Sequence, residues 1–124
     1  MKSKILYVGI MNKADYIKRT ISIAKGEYKP KVDEPKVWFE SIKSLAQVLS
    51  NENQELLKII DNKHPRSLTE LEVLSGRKKS NLSRTLKTLE RYGIVALHKE
   101  KNNLIPTVQA TDFRVEFGLS RSAA

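Results

Sequence analysis

Residues 67–108 restrict this chain more than any other stretch. Ser67-Leu68-Thr69-Glu70 has the form of a capping box, a hydroxyl three residues ahead of a glutamate at a helix start. Leu68, Leu71 and Leu74 then recur at helical spacing, and Ser75-Gly76 stops the pattern. Only a short turn, Gly76-Arg77-Lys78, precedes a second helical pattern, in which Leu82, Leu86 and Leu89 stand at i, i+4 and i+7. At about 100° per residue, Ser80, Arg84, Lys87 and Arg91 fall on the opposite side, with Asn81 and Thr88 beside them. None of those six is a carboxylate, and Glu90, the one acid of this helix, lies on its flank. The turn is so short that the two helices must pack on each other.

The chain continues with Tyr92-Gly93 as a stop and residues 94–99 as a strand. Residues 100–103 form a turn, and residues 104–108 return as a second strand that Pro106 restricts to a sheet edge. Upstream, Ser50-Asn51-Glu52-Asn53-Gln54 opens a helix carrying Leu56, Leu57, Ile59 and Ile60, with Asn51 and Gln54 as its capping signal and His64-Pro65 at its end. Helix, helix, helix, hairpin is the winged-helix arrangement.

The first half is less regular. Residues 4–10 read as a short strand, and Asn12 caps a helix over residues 13–25 whose Ile17, Ile21 and Ala24 share one face. Gly26 ends it. Residues 27–36 contain Pro30 and Pro35 among alternating charges and form an irregular linker. Val37-Trp38-Phe39 follows with the only tryptophan, and Ser41 caps a short helix bearing Ile42, Leu45, Ala46 and Leu49. Near the C-terminus, Phe113, Val115 and Phe117 alternate with Asp112, Arg114 and Glu116, the pattern of a half-buried strand, and residues 119–124 are a tail.

The expected fold is therefore mostly α with a small β component, a winged helix-turn-helix preceded by an N-terminal strand–helix arm. Residues 1–49 form the arm and its proline-containing linker, for dimer or partner docking. Residues 50–110 form the DNA-binding domain, and residues 111–124 the C-terminal strand and tail.

Composition narrows the function. The net charge is +9, and residues 75–91 hold six Lys/Arg against one acid, so the densest basic block lies on the second helix of the opening motif. A basic stripe of this kind suits nucleic acid. The chain has no cysteine, which removes disulfides, thiolate metal sites and cysteine nucleophiles and suits a reducing cytoplasm. No apolar run approaches a membrane span, and the N-terminus lacks a signal-peptide core. The two histidines, His64 and His98, have no second ligand at metal spacing and no paired acid, so no enzyme, metal or cofactor is expected. A small ribonuclease using one of these histidines as base is the enzymatic alternative.

A recognition helix in the DNA major groove is the reading that uses these residues together. Arg84 and Lys87 would reach base edges or phosphates, and Asn81 would read adenine. Ser80, Ser83 and Thr88 would donate to phosphate oxygens, with Lys78, Lys79 and Arg91 adding charge. The helix lacks a capping side chain at Lys78, so its first N–H groups are expected to be open to a phosphate. Lys99, Lys101 and Asn102 at the hairpin tip would touch the backbone or the minor groove. Tyr28, Val37, Trp38 and Phe39 are the candidate docking residues for a protein partner, since large aromatics concentrate at interfaces; the alternative for Trp38 and Phe39 is docking on the core.

Residues 75–95 resemble the recognition region of MarR-like winged-helix regulators. Lys25-Gly-Glu-Tyr-Lys-Pro-Lys, Pro35-Lys-Val-Trp-Phe, Ser44-Leu-Ala-Gln-Val-Leu-Ser and Val115-Glu-Phe are similar to a family of small DNA-binding proteins of bacteria and archaea, some of them antitoxins paired with TumE-type toxins. The resemblance covers residues 5–118. It implies a cytoplasmic homodimer that binds double-stranded DNA, represses its own operon and neutralises a cognate toxin. A stand-alone transcription factor, or an adaptor that never touches DNA, is the alternative.

Overall fold

The computed structural model describes residues 3–119, which fall into two units. One comprises Val48–Thr111 with residues 3–4, the other Ile5–Gln47 with residues 112–119. The tail expected at the C-terminus lies, beyond Leu119, outside the described residues. The elements in chain order are β1 (Ile5–Ile10), α1 (Lys13–Ala24), β2 (Val37–Phe39), α2 (Ile42–Val48), α3 (Asn51–Lys63), α4 (Leu68–Ser75), α5 (Lys79–Arg91), β3 (Val95–Glu100), β4 (Asn103–Val108) and β5 (Asp112–Glu116).

In the first unit α3, α4, α5 and the β3–β4 hairpin make a winged helix-turn-helix. Leu82, Leu86 and Leu89 are each 0% exposed, and Leu56, Ile60, Leu71, Ile94 and Val95 of the same unit are buried with them. Each fully buried aliphatic side chain of this size stabilises the fold by about 1.5–3 kcal/mol. The helix starts follow the polar signals with two shifts. Ser50, not Asn51, caps α3 by accepting from the Asn53 N–H at 3.2 Å, while the Gln54 side chain donates to the Leu49 carbonyl at 2.7 Å. Ser67 Oγ accepts from the Glu70 N–H at 3.0 Å as a capping box requires, but the Glu70 carboxylate takes the Arg66 N–H at 3.3 Å instead of that of Ser67.

The hairpin is antiparallel from Val95 opposite Val108 to Glu100 opposite Asn103. Lys101 and Asn102 turn it with φ of 49° and 69°. Two positive φ values in a two-residue loop match the right-handed twist of the strands. Pro106 pairs opposite Leu97, and among the described residues β3 alone lies beside β4, so its missing N–H breaks no ladder.

The second unit is a three-stranded parallel sheet in the order β2-β1-β5. Val8 pairs with Val37 on one side and Val115 on the other, Ile10 with Phe39, and Leu6 with Phe113. Parallel neighbours need a crossover, and α1 supplies it between β1 and β2. Besides the step between residues 4 and 5, the chain passes from one unit to the other after Gln47 and after Thr111. The N-terminal arm and the C-terminal strand belong to one unit, because β5 returns from the far end of the chain to complete the sheet.

Helix α1 turns its apolar stripe outward. Ile17 and Ile21 are 46% and 47% exposed, Ala14 and Ala24 are also exposed, and no residue of the helix is fully buried. The side turned inward carries Arg19, with Asp15, Ser22 and Ile23 half-buried near it. Arg19 accounts for this orientation. Its guanidinium lies 5.0 Å from the centre of the Trp38 ring and pairs with Glu34 Oε1 at 3.3 Å.

Candidate nucleic-acid interface

Helix α5 carries the candidate surface because its leucines fix which side faces out. Ser80, Arg84, Lys87 and Arg91 are all exposed along one line. From Ser80 to Arg91 the line runs about 16 Å at 1.5 Å per residue, longer than the roughly 12 Å width of the B-DNA major groove. Lys78 and Lys79 are exposed at its start, and Ser83 and Thr88 are half-buried on its flanks. The Thr88 hydroxyl donates to the Arg84 carbonyl at 3.2 Å, so it points along the helix. Lys99, Lys101 and Asn102 are exposed on the hairpin.

The turn into α5 is built by a left-handed glycine and a borrowed carboxylate. Gly76 has φ of +75° and donates its N–H to the Glu72 carbonyl at 2.9 Å. A side chain at that φ would be strained. Lys78, the residue at the N-cap, makes no side-chain cap bond, as its chemistry requires. The Lys79 N–H is nevertheless not open. It donates to Glu72 Oε2 at 3.1 Å, so a carboxylate of α4 caps the helix from outside. A carboxylate thus already occupies the first of the N–H groups expected to be open to a phosphate.

Arg77 was not among the candidate residues, and it organises the site. Its Nε donates to Asn81 Oδ1 at 2.8 Å, one terminal nitrogen to Asn53 Oδ1 at 3.0 Å, and the other to Thr85 Oγ1 at 2.9 Å. One planar guanidinium therefore links α3 to two turns of α5. All three acceptors are uncharged, so they leave its positive charge in place. Asn81 is half-buried, and its Oδ1 holds Arg77. Bidentate reading of adenine needs both ends of the amide. The structure makes Asn81 a support of Arg77, not the free base reader expected from its position. A signal for Arg77 was present in the sequence, since Arg77, Asn81 and Thr85 lie at i, i+4 and i+8. An open cleft of about 470 Å³ lies here, lined by Glu52, Arg77, Lys78, Ser80, Asn81 and Arg84.

The proposed protein-docking residues are distributed differently. Phe39 is 1% exposed and stands in the core, which corrects its assignment as a surface anchor. Tyr28, Val37 and Trp38 are half-buried. Trp38 lies over Gly9, where an added Cβ would stand 2.7 Å from Trp38 Cε3 and 2.9 Å from Pro35 Cγ. Tyr28 donates its hydroxyl to Glu34, and the Lys31 N–H donates to the same carboxylate at 2.6 Å. Burial of Glu34 would by itself raise its pKa. The bonds from Tyr28, Lys31 and Arg19 outweigh it and hold the carboxyl below its usual range. The hydrogen bond to Glu34, with burial, raises the Tyr28 hydroxyl above its ordinary value. This cluster closes the proline-containing linker onto α1 through Arg19.

Among the described residues, no helix is long and apolar enough to cross a membrane, and no three His, Asp or Glu side chains are grouped to hold a metal ion. No curated protein matches the chain. A solved structure described as a predicted DNA-binding transcriptional regulator from E. coli aligns with 55% of this chain and 73% of its own, at 16% identity and a TM-score of 0.46. The family HVO_A0114 matches residues 48–115, more than half of the chain. By that match the chain belongs to the HVO_A0114 family.

Proposed function

We propose that this protein is a sequence-specific, non-enzymatic transcriptional regulator that places α5 in the major groove of double-stranded DNA. The observation that carries the reading is the exposed line Ser80, Arg84, Lys87 and Arg91, backed by three fully buried leucines and free of carboxylates. Arg84 and Lys87 contact bases or phosphates, and Lys78, Lys79 and Ser80 contact the backbone. Ser83 and Thr88 serve from the flanks, and Lys99 and Lys101 reach the DNA from the hairpin. A winged helix with its recognition helix and hairpin exposed together supports this division of contacts. As a homodimer, two copies read a pseudo-palindrome with half-sites about one helical turn apart.

The test is binding of duplex DNA from the chain's own promoter region, followed by fluorescence anisotropy across a salt series. With about six phosphates neutralised, log K falls with log salt at a slope near −5. Arg84→Ala with Lys87→Ala weakens binding by about 2–5 kcal/mol and flattens the slope by about 2. Normal binding by a folded double variant removes the groove assignment.

The resemblance to antitoxins supports a narrower version, in which a cytoplasmic regulator represses its own operon and neutralises a toxin encoded beside it. A second unit outside the winged helix gives such a partner a place to bind. Co-expression with the adjacent reading frame tests this. Relief of that frame's toxicity supports the antitoxin role, and a harmless neighbour leaves a stand-alone regulator.

A further inference from the structure

The outward side of α1 has no part in the DNA reading. Ala14, Ile17, Ile21 and Ala24 stand at intervals of three, four and three residues, the a/d spacing of a two-heptad coiled-coil seam, and all four are exposed. The opposite side of the helix, centred on Arg19, is the one turned inward, with the Arg19 side chain only 11% exposed. A surface helix normally turns its apolar stripe in and its charges out. Here Arg19 turns in while the apolar seam, like the lysines beside it, faces solvent.

The flanks of the seam select what it can take. The positions bordering it are Lys13, Lys18, Thr20 and Lys25, all exposed, with no carboxylate among them. These are the e and g positions whose charges choose a coiled-coil partner. A second copy of the chain fits poorly. Parallel packing sets Lys13 against Lys18 of the other copy, and antiparallel packing sets the Lys18–Lys25 flank against itself. Insertion into lipid fits poorly too, since two of the four seam positions are alanine and lipid-facing helices use bulky apolar side chains. The same alanines allow another helix to approach closely.

We propose that the Ala14-Ile17-Ile21-Ala24 seam of α1, bordered by Lys13, Lys18 and Lys25, docks an amphipathic helix of another protein that is apolar along its seam and acidic on its flanks. No residue of α5 or of the hairpin takes part, so the surface stands or falls independently of DNA binding. The probes are two synthetic helices of roughly three heptads, identical and apolar at a and d, one with glutamate and one with lysine at e and g. Binding to the full chain is read by fluorescence anisotropy. The acid-flanked helix binds about tenfold or more tighter than the lysine-flanked one. Ile17→Glu with Ile21→Glu abolishes binding, and the triple change Lys13→Glu, Lys18→Glu, Lys25→Glu reverses the preference. Every substituted position is exposed, so circular-dichroism melts of both variants stay at the wild-type midpoint. The charge reversal tests the proposal even if the isoleucine variant unfolds. Four results overturn it: no binding of the acidic helix at about millimolar concentration, equal binding of both helices, binding to anionic vesicles in place of the peptide, or a dimer dispersed by Ile17→Glu with Ile21→Glu.

Discussion

Arg77 gives the sharpest structural test, because it is a single side chain that ties α3 to α5. Arg77→Ala removes three hydrogen bonds, to Asn53, Asn81 and Thr85, and leaves their oxygens to water or to one another. Bonds from a charged donor contribute about 1.5–3 kcal/mol each, so three at the lower value amount to about 4.5 kcal/mol. The site is half-buried, and water recovers part of that. The expected loss is about 2–4 kcal/mol. For a domain of this size each kcal/mol moves the midpoint by about 4–8 °C, so the melt followed by far-ultraviolet circular dichroism falls by about 10–25 °C. Arg77→Lys keeps the charge but lacks the fork, and it loses more than half of the same stability. Arg84→Ala, on the exposed line, changes stability by less than about 0.5 kcal/mol. In a double-mutant cycle with Asn53→Ala, the two losses are markedly non-additive. A melt of Arg77→Ala within about 3 °C of wild type, or an equal loss from Arg84→Ala, refutes the reasoning.

Three further outcomes follow from the packing and the charges. Leu86→Ala, at a position 0% exposed, destabilises the winged helix by about 2–5 kcal/mol in urea unfolding, and a loss under about 1 kcal/mol contradicts the core assignment. Gly9→Ala forces Trp38 and Pro35 aside; it costs about 1–3 kcal/mol and shifts the emission of the single tryptophan, whereas unchanged emission and stability would show that the close packing is wrong. Glu34 has a folded pKa below its usual 4.5, so folding favours the deprotonated form. The stability it provides is complete above that usual value and is lost as pH falls through the lower folded value. Unfolding monitored at Trp38 therefore becomes easier in that acid window for wild type and not for Glu34→Gln, and equal acid sensitivity of the two refutes the cluster.

The winged helix was legible because its signals are local. Leucines at i, i+4 and i+7, the serine ahead of α4 and the glycine after it are each decided within a turn of chain, and the structure keeps them nearly residue for residue. The parallel sheet was not legible. Its β1–β5 pairs, such as Leu6 with Phe113, are set by contacts about a hundred residues apart, and alternation in β1 or β5 says nothing about which strand lies beside it. The orientation of α1 was not legible for a related reason. Periodicity shows that one stripe is apolar, but the seat of Arg19 on Trp38 and Glu34 decides which stripe turns in. At the candidate site the exposed basic line could be read from spacing alone. The Glu72 cap could not, because it joins a side chain of α4 to a backbone N–H across the turn; for Arg77 the spacing shows Asn81 and Thr85 but not Asn53 on α3.

The most direct measurement of the central claim is selection of DNA from a fragmented genomic pool by the purified full chain, run beside Arg84→Ala with Lys87→Ala and sequenced at matched salt. The wild-type chain is expected to enrich fragments sharing one short, pseudo-palindromic motif, and the folded double variant to lose that enrichment. Retention of no common motif by the wild type, or the same motif at the same strength by the double variant, would contradict it.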